Sequence, residues 1–343
     1  MSKISKKRLF AILTGCIFIL LVILIMGFGL FFIRPAEKEG EYQVIAVQEG
    51  MSLKEAADRL EDEGVITNRT LFMLWARLMG YSKRIKAGEY RLSSSMAPIR
   101  IIDILTRGVI ITHSVTIPEG FSMKQIAALL SEKGLSDEKE FLSLAEDPET
   151  LKKHGISGPS LEGYLYPDTY HFGKGLSAST IIDTMIRRFR QVVEPYTERI
   201  EGSGMTMEEV LTLASIVEKE TGSAEERPVI ASVFLNRMRK HMRLESDPTV
   251  IYGISKFSGN LRREDLSEPT LYNTYVIRGL PPGPIASPGL ESIKAILFPK
   301  ETDYLYFVSK NDGSHFFSKT IEEHNRAVIK YQKKRLSGGD QSS

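Results

Sequence analysis

The sequence predicts an α+β protein behind a single N-terminal membrane-spanning helix. Three patterns support this: an uncharged apolar run over residues 9–33, a strand–turn–helix pattern that occurs twice, and a C-terminal region that mixes helical and hairpin patterns. A chain of 343 residues is long enough for about two domains. A composition of 42% hydrophobic and 26% charged residues is typical of globular protein.

The apolar run over residues 9–33 contains no charged side chain. A helix rises about 1.5 Å per residue, so about 20 residues already cross a hydrocarbon core of about 30 Å. Residues 1–8 carry four basic side chains and no acidic one, which favours a cytoplasmic N-terminus and places the chain from residue 34 outside. We predict a retained single-pass membrane anchor, since a cleaved signal peptide would have a shorter apolar core.

Charge and cysteine content narrow the function further. The chain carries a formal charge of +2, but residues 34–343 hold 41 basic and 43 acidic side chains, which argues against nucleic-acid binding. Cys16 is the only cysteine, so the exported part has no intrachain disulfide. Leu13–Cys16 resembles a lipoprotein signal, but only four apolar residues precede it, and we interpret Cys16 as a small residue within the membrane helix.

The strand–turn–helix pattern begins near Val44 and recurs 70 residues later, near Ser114. In both copies a short alternating strand is followed by Glu-Gly, a helix that Ser52 or Ser122 would cap, and a closing glycine. Such βα units resemble glycan-binding LysM domains, and the pattern suits a plain packing unit equally well. We assign residues 43–112 to a LysM-like module and place the second copy within a region over residues 113–335, followed by a flexible tail at 336–343.

Patterns along the rest of the chain predict further elements. A helix over 71–81 carries Trp75 in the core, and an aromatic strand or loop follows at 161–170. Helices are predicted over 181–200 and, buried, over 207–221, and another helix runs through Arg239 and begins at Ser223 or near Pro228. Residues 304–308 form a hairpin with 315–318, and Thr320 caps a last helix.

The distribution of reactive side chains points to carboxylate chemistry. The six histidines show no metal-ligand spacing, and no nucleophilic-serine motif or phosphate-binding loop is present, so we expect no metal and no cofactor. Glu218 ends the buried helix beside the small residues Ala214 and Ser215. Burial would raise its pKa toward the range of a general acid. Glu220 points about 200° away around the helix, so the two carboxylates cannot act as a facing pair.

Two further segments could border a ligand. Asp247 opens a turn-rich stretch, and Tyr272–Tyr275 leads into a segment with four prolines between residues 281 and 288. Such a segment forms a stiff wall or a rigid connector, and the pattern leaves both open.

Together these residues resemble the endolytic murein transglycosylase, or YceG-like, family from about residue 43 to 330. The matching motifs are Leu213–Thr221, Val233–Arg237, Asp247–Val250, Tyr272–Tyr275, Gly279–Ile285, Leu161–Tyr170, and the closing Gly313, His315, Phe317 and Glu323–Asn325. The resemblance implies a mixed α+β catalytic domain and assigns the catalytic role to Glu218. It also implies substrate contacts from Glu220, Asn236, Glu245, Asp247, Thr249, Tyr272, Asn273 and Tyr275. Glu245 departs from the glutamine that we expect at this position in the family.

The implied reaction needs only one carboxylate. A lytic transglycosylase uses the 6-hydroxyl of the muramyl sugar as internal nucleophile, so one Glu can protonate the glycosidic oxygen and then accept the hydroxyl proton. The implied enzyme cleaves nascent peptidoglycan glycan strands outside the membrane, near peptidoglycan synthases of the elongation machinery. Two alternatives remain: a muramidase-type hydrolase, which needs a second carboxylate such as Asp247, and a non-catalytic wall-binding scaffold.

Overall fold

The computed structural model describes residues 6–82, 84–255, 257 and 259–333, which form two compact units. Unit 1 comprises the described residues through Ser114 together with His171–Ser177, and unit 2 comprises Val115–Tyr170 and the described residues from Ala178 onward. The sequence predicts a boundary between residues 112 and 113, whereas the units divide after Ser114. The tail predicted at 336–343 and residues 1–5 lie outside the described residues.

Unit 1 begins with helix α1, and a two-stranded sheet with three further helices follows it. The elements are α1 Lys6–Ile33, β1 Tyr42–Val47, α2 Leu53–Asp62, α3 Arg69–Leu78, β2 Gly88–Ser93 and α4 Pro98–Arg107. The strands β1 and β2 are antiparallel, with Tyr42 opposite Ser93 and Val47 opposite Gly88. Their inward side chains, including Ile45 and Tyr90, form a core with the apolar faces of the helices.

Helix α1 contains one segment, Ile12–Ile33, that is long and apolar enough to cross a membrane, a property that signal sequences share. Trp75 of α3 packs partly buried against the unit 1 core, as predicted. Its indole also stacks on the Phe32 ring, with 4.6 Å between ring centroids.

Unit 2 is predominantly helical. The elements from β3 to the end of the described chain are β3 His113–Thr116, α5 Met123–Glu132, α6 Glu138–Ala145, α7 Pro148–Lys153, β4 Thr169–Phe172, α8 Ala178–Val193, α9 Thr197–Gly202, α10 Met207–Glu220, α11 Arg227–Arg239, α12 Asp247–Gly253, α13 Leu290–Leu297, β5 Tyr306–Ser309, β6 His315–Ser318 and α14 Ile321–Val328. Strands β3 and β4 pair, and the residues of each are divided between the two units. Strands β5 and β6 form the predicted antiparallel hairpin. The mixed α+β prediction is confirmed.

The predicted strand–turn–helix repeat is present in both copies. Helices α2 and α5 have equal length, and each begins with a capping box, in which Ser52 or Ser122 accepts from the backbone of the residue three positions on. The glycines of the Glu-Gly turns, Gly50 and Gly120, have φ of 82° and 75°. This left-handed conformation explains why glycine recurs there.

Three elements differ from the sequence prediction. The helix predicted over 181–200 ends at Val193, and a 3₁₀ turn at Glu194–Tyr196 separates it from α9, since Pro195 supplies no backbone N–H. Helix α11 starts next to Pro228, which selects the second of the two predicted start points. The stretch from Asp247 forms helix α12 where turns were predicted, with Pro248 in its first turn.

Candidate active site

Helix α10 places two carboxylates at its C-terminal end. A capping box between Thr206 and Glu209 fixes its start, and every side chain from Val210 to Val217 is buried. Tight packing of this helix holds its last turn in place, so Glu218 and Glu220 point to fixed and nearly opposite sides.

Glu220, the last residue of α10, borders a cleft. Its Oε1 accepts a hydrogen bond from Ser246 Oγ at 2.5 Å. Burial raises the pKa of Glu220 to about 7, the neighbouring Asp247 adds to that rise, and the Ser246 hydroxyl and Arg237 partly offset it. A carboxylic acid with this pKa can hold a proton near neutral pH and donate it to a ligand.

The cleft has a volume of about 410 Å³ and lies entirely within unit 2. Three carboxylates reach it, from Glu220, Glu245 and Asp247, together with the guanidinium of Arg237. The remaining lining residues come from the segment after α11, the segment before α13, the hairpin, and α14 with the segment after it: Leu244, Tyr275, Tyr306, Phe307, Val308, Ser309, His315, Ile321, His324, Val328 and Gln332. Aromatic surface combined with a few polar groups is typical of small-ligand and saccharide-sized sites.

Hydrogen bonds orient the two carboxylates that follow α11 in the sequence. Asp247 Oδ1 accepts from the hydroxyl of Tyr275 at 2.7 Å, and Glu245 Oε2 accepts from Arg237 Nη1 at 3.1 Å. Arg237 also donates to three backbone carbonyls, those of Arg243, Leu244 and Leu305. Arg237 thus ties α11 to the cleft rim and leaves Glu245 half exposed.

Glu218 lies in contrasting surroundings, on the side of α10 away from the cleft lining. Its Oε2 accepts from the Gly289 backbone at 3.0 Å and from Ser292 Oγ at 2.7 Å, and its Oε1 accepts from Arg227 Nη2 at 3.2 Å. Its side chain is only 6% exposed. Both oxygens therefore already bind fixed protein donors.

The proline-rich segment packs on the Glu218 side as well. Ile285 N donates to Ser215 Oγ, and Ser287 exchanges backbone hydrogen bonds with the turn at Gly120 and Phe121. No residue of 279–289 belongs to the described cleft lining. Of the two interpretations of this segment, the geometry favours the rigid connector, which fixes the second βα turn against α10.

Four residues predicted to contact substrate lie outside the cleft lining. Asn236 donates to the carbonyls of Thr302 and Tyr304, and Asn273 donates to three carbonyls between residues 265 and 268. Thr249 is fully buried and bonds to Ser246 O, while Tyr272 packs on Tyr252. The two asparagines and Thr249 thus satisfy backbone carbonyls near the cleft, and Tyr272 contributes ring packing.

Sequence reasoning missed several cleft residues. Arg237 ends the motif Val233–Arg237 but had no predicted role, and His315 and His324 appear only in the closing motif that resembles the family. Ser246, which bonds to Glu220 from behind the lining, was also missed. The position of Ser246 directly before Asp247, at the start of α12, is a sequence feature that could have indicated its role. Among the residues that the structure describes, no group of three His, Cys, Asp or Glu side chains is placed to hold a metal ion.

Fold and cleft together define a mixed α+β protein with a carboxylate-lined cleft at the end of a buried helix. A model of the YceG-like family matches residues 45–330, and the chain belongs to this family.

Relatives of known name agree with this family. An endolytic murein transglycosylase of Bacillus subtilis is 35% identical over 322 residues, covering 89% of both chains. An endolytic murein transglycosylase of Streptococcus pneumoniae is 29% identical, and the match covers 87% of this chain and 60% of that protein. A crystal structure of a YceG-like protein from Listeria monocytogenes superposes with a TM-score of 0.58 at 35% identity, covering 83% of this chain and 98% of the other.

Proposed function

We propose that this chain is an endolytic peptidoglycan lytic transglycosylase in which Glu220 is the general acid. The observation that carries the assignment is the position of Glu220 on the cleft, with burial raising its pKa to about 7. The names of the relatives support the class of reaction. The assignment moves the catalytic role two residues from the sequence prediction of Glu218.

The proposed reaction cleaves the bond between N-acetylmuramic acid and N-acetylglucosamine within a strand. Protonated Glu220 donates its proton to the glycosidic oxygen while the bond from that oxygen to C1 breaks. The 6-hydroxyl of the same muramyl residue then bonds to C1 and gives its proton to the Glu220 carboxylate, which leaves a 1,6-anhydro end and restores the acid. Ser246 holds Glu220 through Oε1 during both steps. Glu218, to which the family resemblance assigns this role, differs in that both its oxygens accept hydrogen bonds from protein donors, and substitution of each carboxylate separates the two candidates.

One observation favours a second candidate, a muramidase-type hydrolase. Asp247 and Glu245 line the same cleft as Glu220, and either would supply the second carboxylate that hydrolysis requires. A hydrolase leaves reducing ends, whereas a lytic transglycosylase leaves anhydro ends.

The proposal also covers the location of the enzyme at the membrane and its contacts with the glycan strand outside the cleft. The segment Ile12–Ile33 supports a membrane anchor with residues 34–343 outside the cytoplasm, where nascent strands and their synthases lie. The repeated βα units support LysM-like glycan contacts in unit 1 that retain a strand during cleavage.

Mass spectrometry of muropeptides tests this proposal. Detergent-solubilised full-length chain is incubated with purified peptidoglycan, and we expect 1,6-anhydro ends from the wild type and from Glu218→Gln, but none from Glu220→Gln. Glu322→Gln, an exposed carboxylate on α14, is the matched control. Reducing ends in the products would show that the chain is a hydrolase and not a lytic transglycosylase. Cleavage by Glu220→Gln, together with none by a folded Glu218→Gln, would return the catalytic role to Glu218.

A further inference from the structure

A histidine on the hairpin side of the cleft is held by a carboxylate. His315, the first residue of β6, donates from Nδ1 to Glu226 Oε2 at 2.6 Å, and its backbone N–H donates to Glu226 Oε1 at 2.9 Å. The two side chains are 12% and 17% exposed. Glu226 directly precedes α11, so the pair joins the start of that helix to the hairpin.

The second ring nitrogen of His315 is free to meet a ligand. His315 lines the cleft, and its Nε2 has no hydrogen-bond partner within the described part of the chain. Nδ1 of the neighbouring His324 is buried and has no partner, whereas Nε2 of His315 is not a buried atom. The Nε2 atom of His315 is therefore open to the solvent that fills the cleft.

The Glu226 carboxylate fixes the chemistry of that free nitrogen. A carboxylate accepts hydrogen bonds, so Nδ1 carries the proton, and Nε2 of the neutral imidazole is an acceptor. The same logic orients the histidine of a catalytic triad. Sugar hydroxyls are donors of the matching kind, and the aromatic rings of Tyr306 and Phe307 line the same cleft.

We propose that His315 forms a subsite that accepts a hydrogen bond from a glycan hydroxyl through Nε2, with Glu226 as the positioning residue. The identification of the ligand as a hydroxyl-rich glycan rests on the proposed function. The subsite binds the strand without taking part in proton transfer, so it acts equally on the ground state and the transition state. Its loss then raises KM and leaves kcat unchanged.

Two substitutions separate this role from a merely structural one. His315→Asn keeps a side-chain N–H that can donate to Glu226, but it removes the nitrogen that reaches the cleft. Glu226→Gln keeps the shape of the side chain and no longer fixes the tautomer. His154→Asn removes another histidine paired with a carboxylate, Asp183, outside the cleft lining, and is the matched control.

Steady-state cleavage of glycan strands and strand binding by the full-length chain are measured for each variant. We expect KM to rise about threefold to tenfold in His315→Asn and Glu226→Gln, with kcat and Tm unchanged. His154→Asn should match the wild type. In a Glu220→Gln background, His315→Asn should weaken binding of uncut strands by the same factor.

Wild-type KM and wild-type strand binding in His315→Asn would overturn the subsite. So would a change in activity that only follows a fall in Tm. Failure of the proposed function has a different signature, since the wild type itself would then leave no anhydro ends.

Discussion

The last turn of α10 places two carboxylates, two residues apart, in opposite surroundings. Glu218 is surrounded by fixed donors and a cation, whereas Glu220 has one hydroxyl partner and borders a cleft. The comparison shows that two carboxylates in one helical turn can have very different hydrogen-bond partners, and our proposal assigns them different roles on that basis. Of the two, Glu220 borders the described cleft, and Glu218 is not among its lining residues.

The two environments also differ in what they connect. Glu218 joins α10 to Arg227 at the start of α11 and to Gly289 and Ser292 at the start of α13. A Cβ added to Gly289 would overlap the carboxylate of Glu119, which shows how closely this side is packed. Within the described residues, the Glu220 carboxylate joins α10 to Ser246, next to α12. We therefore expect Glu218 to govern stability and Glu220 to govern activity.

The largest expected effect is on the activity of Glu220→Gln. Removing a general acid costs about 10²- to 10⁴-fold in rate, and glutamine keeps the shape and can still accept from Ser246. Initial rates of anhydro-end formation measure the effect at pH 7, with Glu322→Gln as control. A loss below about tenfold would remove Glu220 from the acid role.

The next effect is on the stability of Glu218→Ala. The substitution leaves the buried guanidinium of Arg227 with only the more distant carboxylate of Glu119, at 3.9 Å, so we expect the free energy of unfolding to fall by about 3 kcal/mol. Urea denaturation measures this change, and Glu322→Ala should lie within about 0.5 kcal/mol of the wild type. An unchanged unfolding free energy would show that Glu218 does not hold α10, α11 and α13 together.

A smaller effect concerns stability: the ionisation of buried Glu220 should destabilise the fold, and this destabilisation should depend on pH. Its pKa is near 4.5 in the unfolded chain and about 7 in the folded one, so the folded state retains a proton that the unfolded state releases between these values. Stability therefore falls as pH rises from about 4.5 to 7, and Glu220→Gln removes this loss. We expect its Tm to match the wild type at pH 4 and to exceed it by a few degrees at pH 8.

A second buried carboxyl group does not disturb the comparison of Glu220→Gln with the wild type. Burial also raises the pKa of Glu162 to about 7, but this residue is common to both proteins and cancels in the difference. A Tm difference that stays constant from pH 4 to pH 8 would contradict a raised pKa for Glu220.

Local patterns allowed much of the fold to be predicted. The capping boxes at Ser52 and Ser122, the cap at Thr320 and the hairpin turn at Asn311–Gly313 are interactions between residues close in sequence, so the pattern carries them. Helix α12 was not predicted, since Asp, Pro and Gly in seven residues suit turns as well as a short helix. The inclusion of His171–Ser177 in unit 1 depends on long-range packing, which a local pattern does not encode.

The site was predicted less completely, for a physical reason. Helical geometry indicates that Glu218 and Glu220 point in opposite directions, but it does not indicate which direction meets a cleft. That depends on Arg227, Gly289 and Ser292 meeting Glu218, contacts that span up to 74 residues of sequence. Asn236 and Asn273 illustrate the same limit, because an Asn near a motif suits a sugar hydroxyl and a buried carbonyl equally well.

The smallest expected effect concerns Tyr275→Phe, at the rim of the cleft on the Glu220 side. The Tyr275 hydroxyl donates to Asp247 Oδ1 at 2.7 Å and holds that carboxylate toward the lining. Losing one hydrogen bond is worth about 1 kcal/mol, so a lyase that uses Asp247 only to bind the strand should show KM raised about threefold to fivefold and kcat unchanged. A hydrolase that uses Asp247 as base should instead lose kcat. Steady-state kinetics of Tyr275→Phe, with product ends identified in the same digests, therefore separate a second catalytic carboxylate from a binding one.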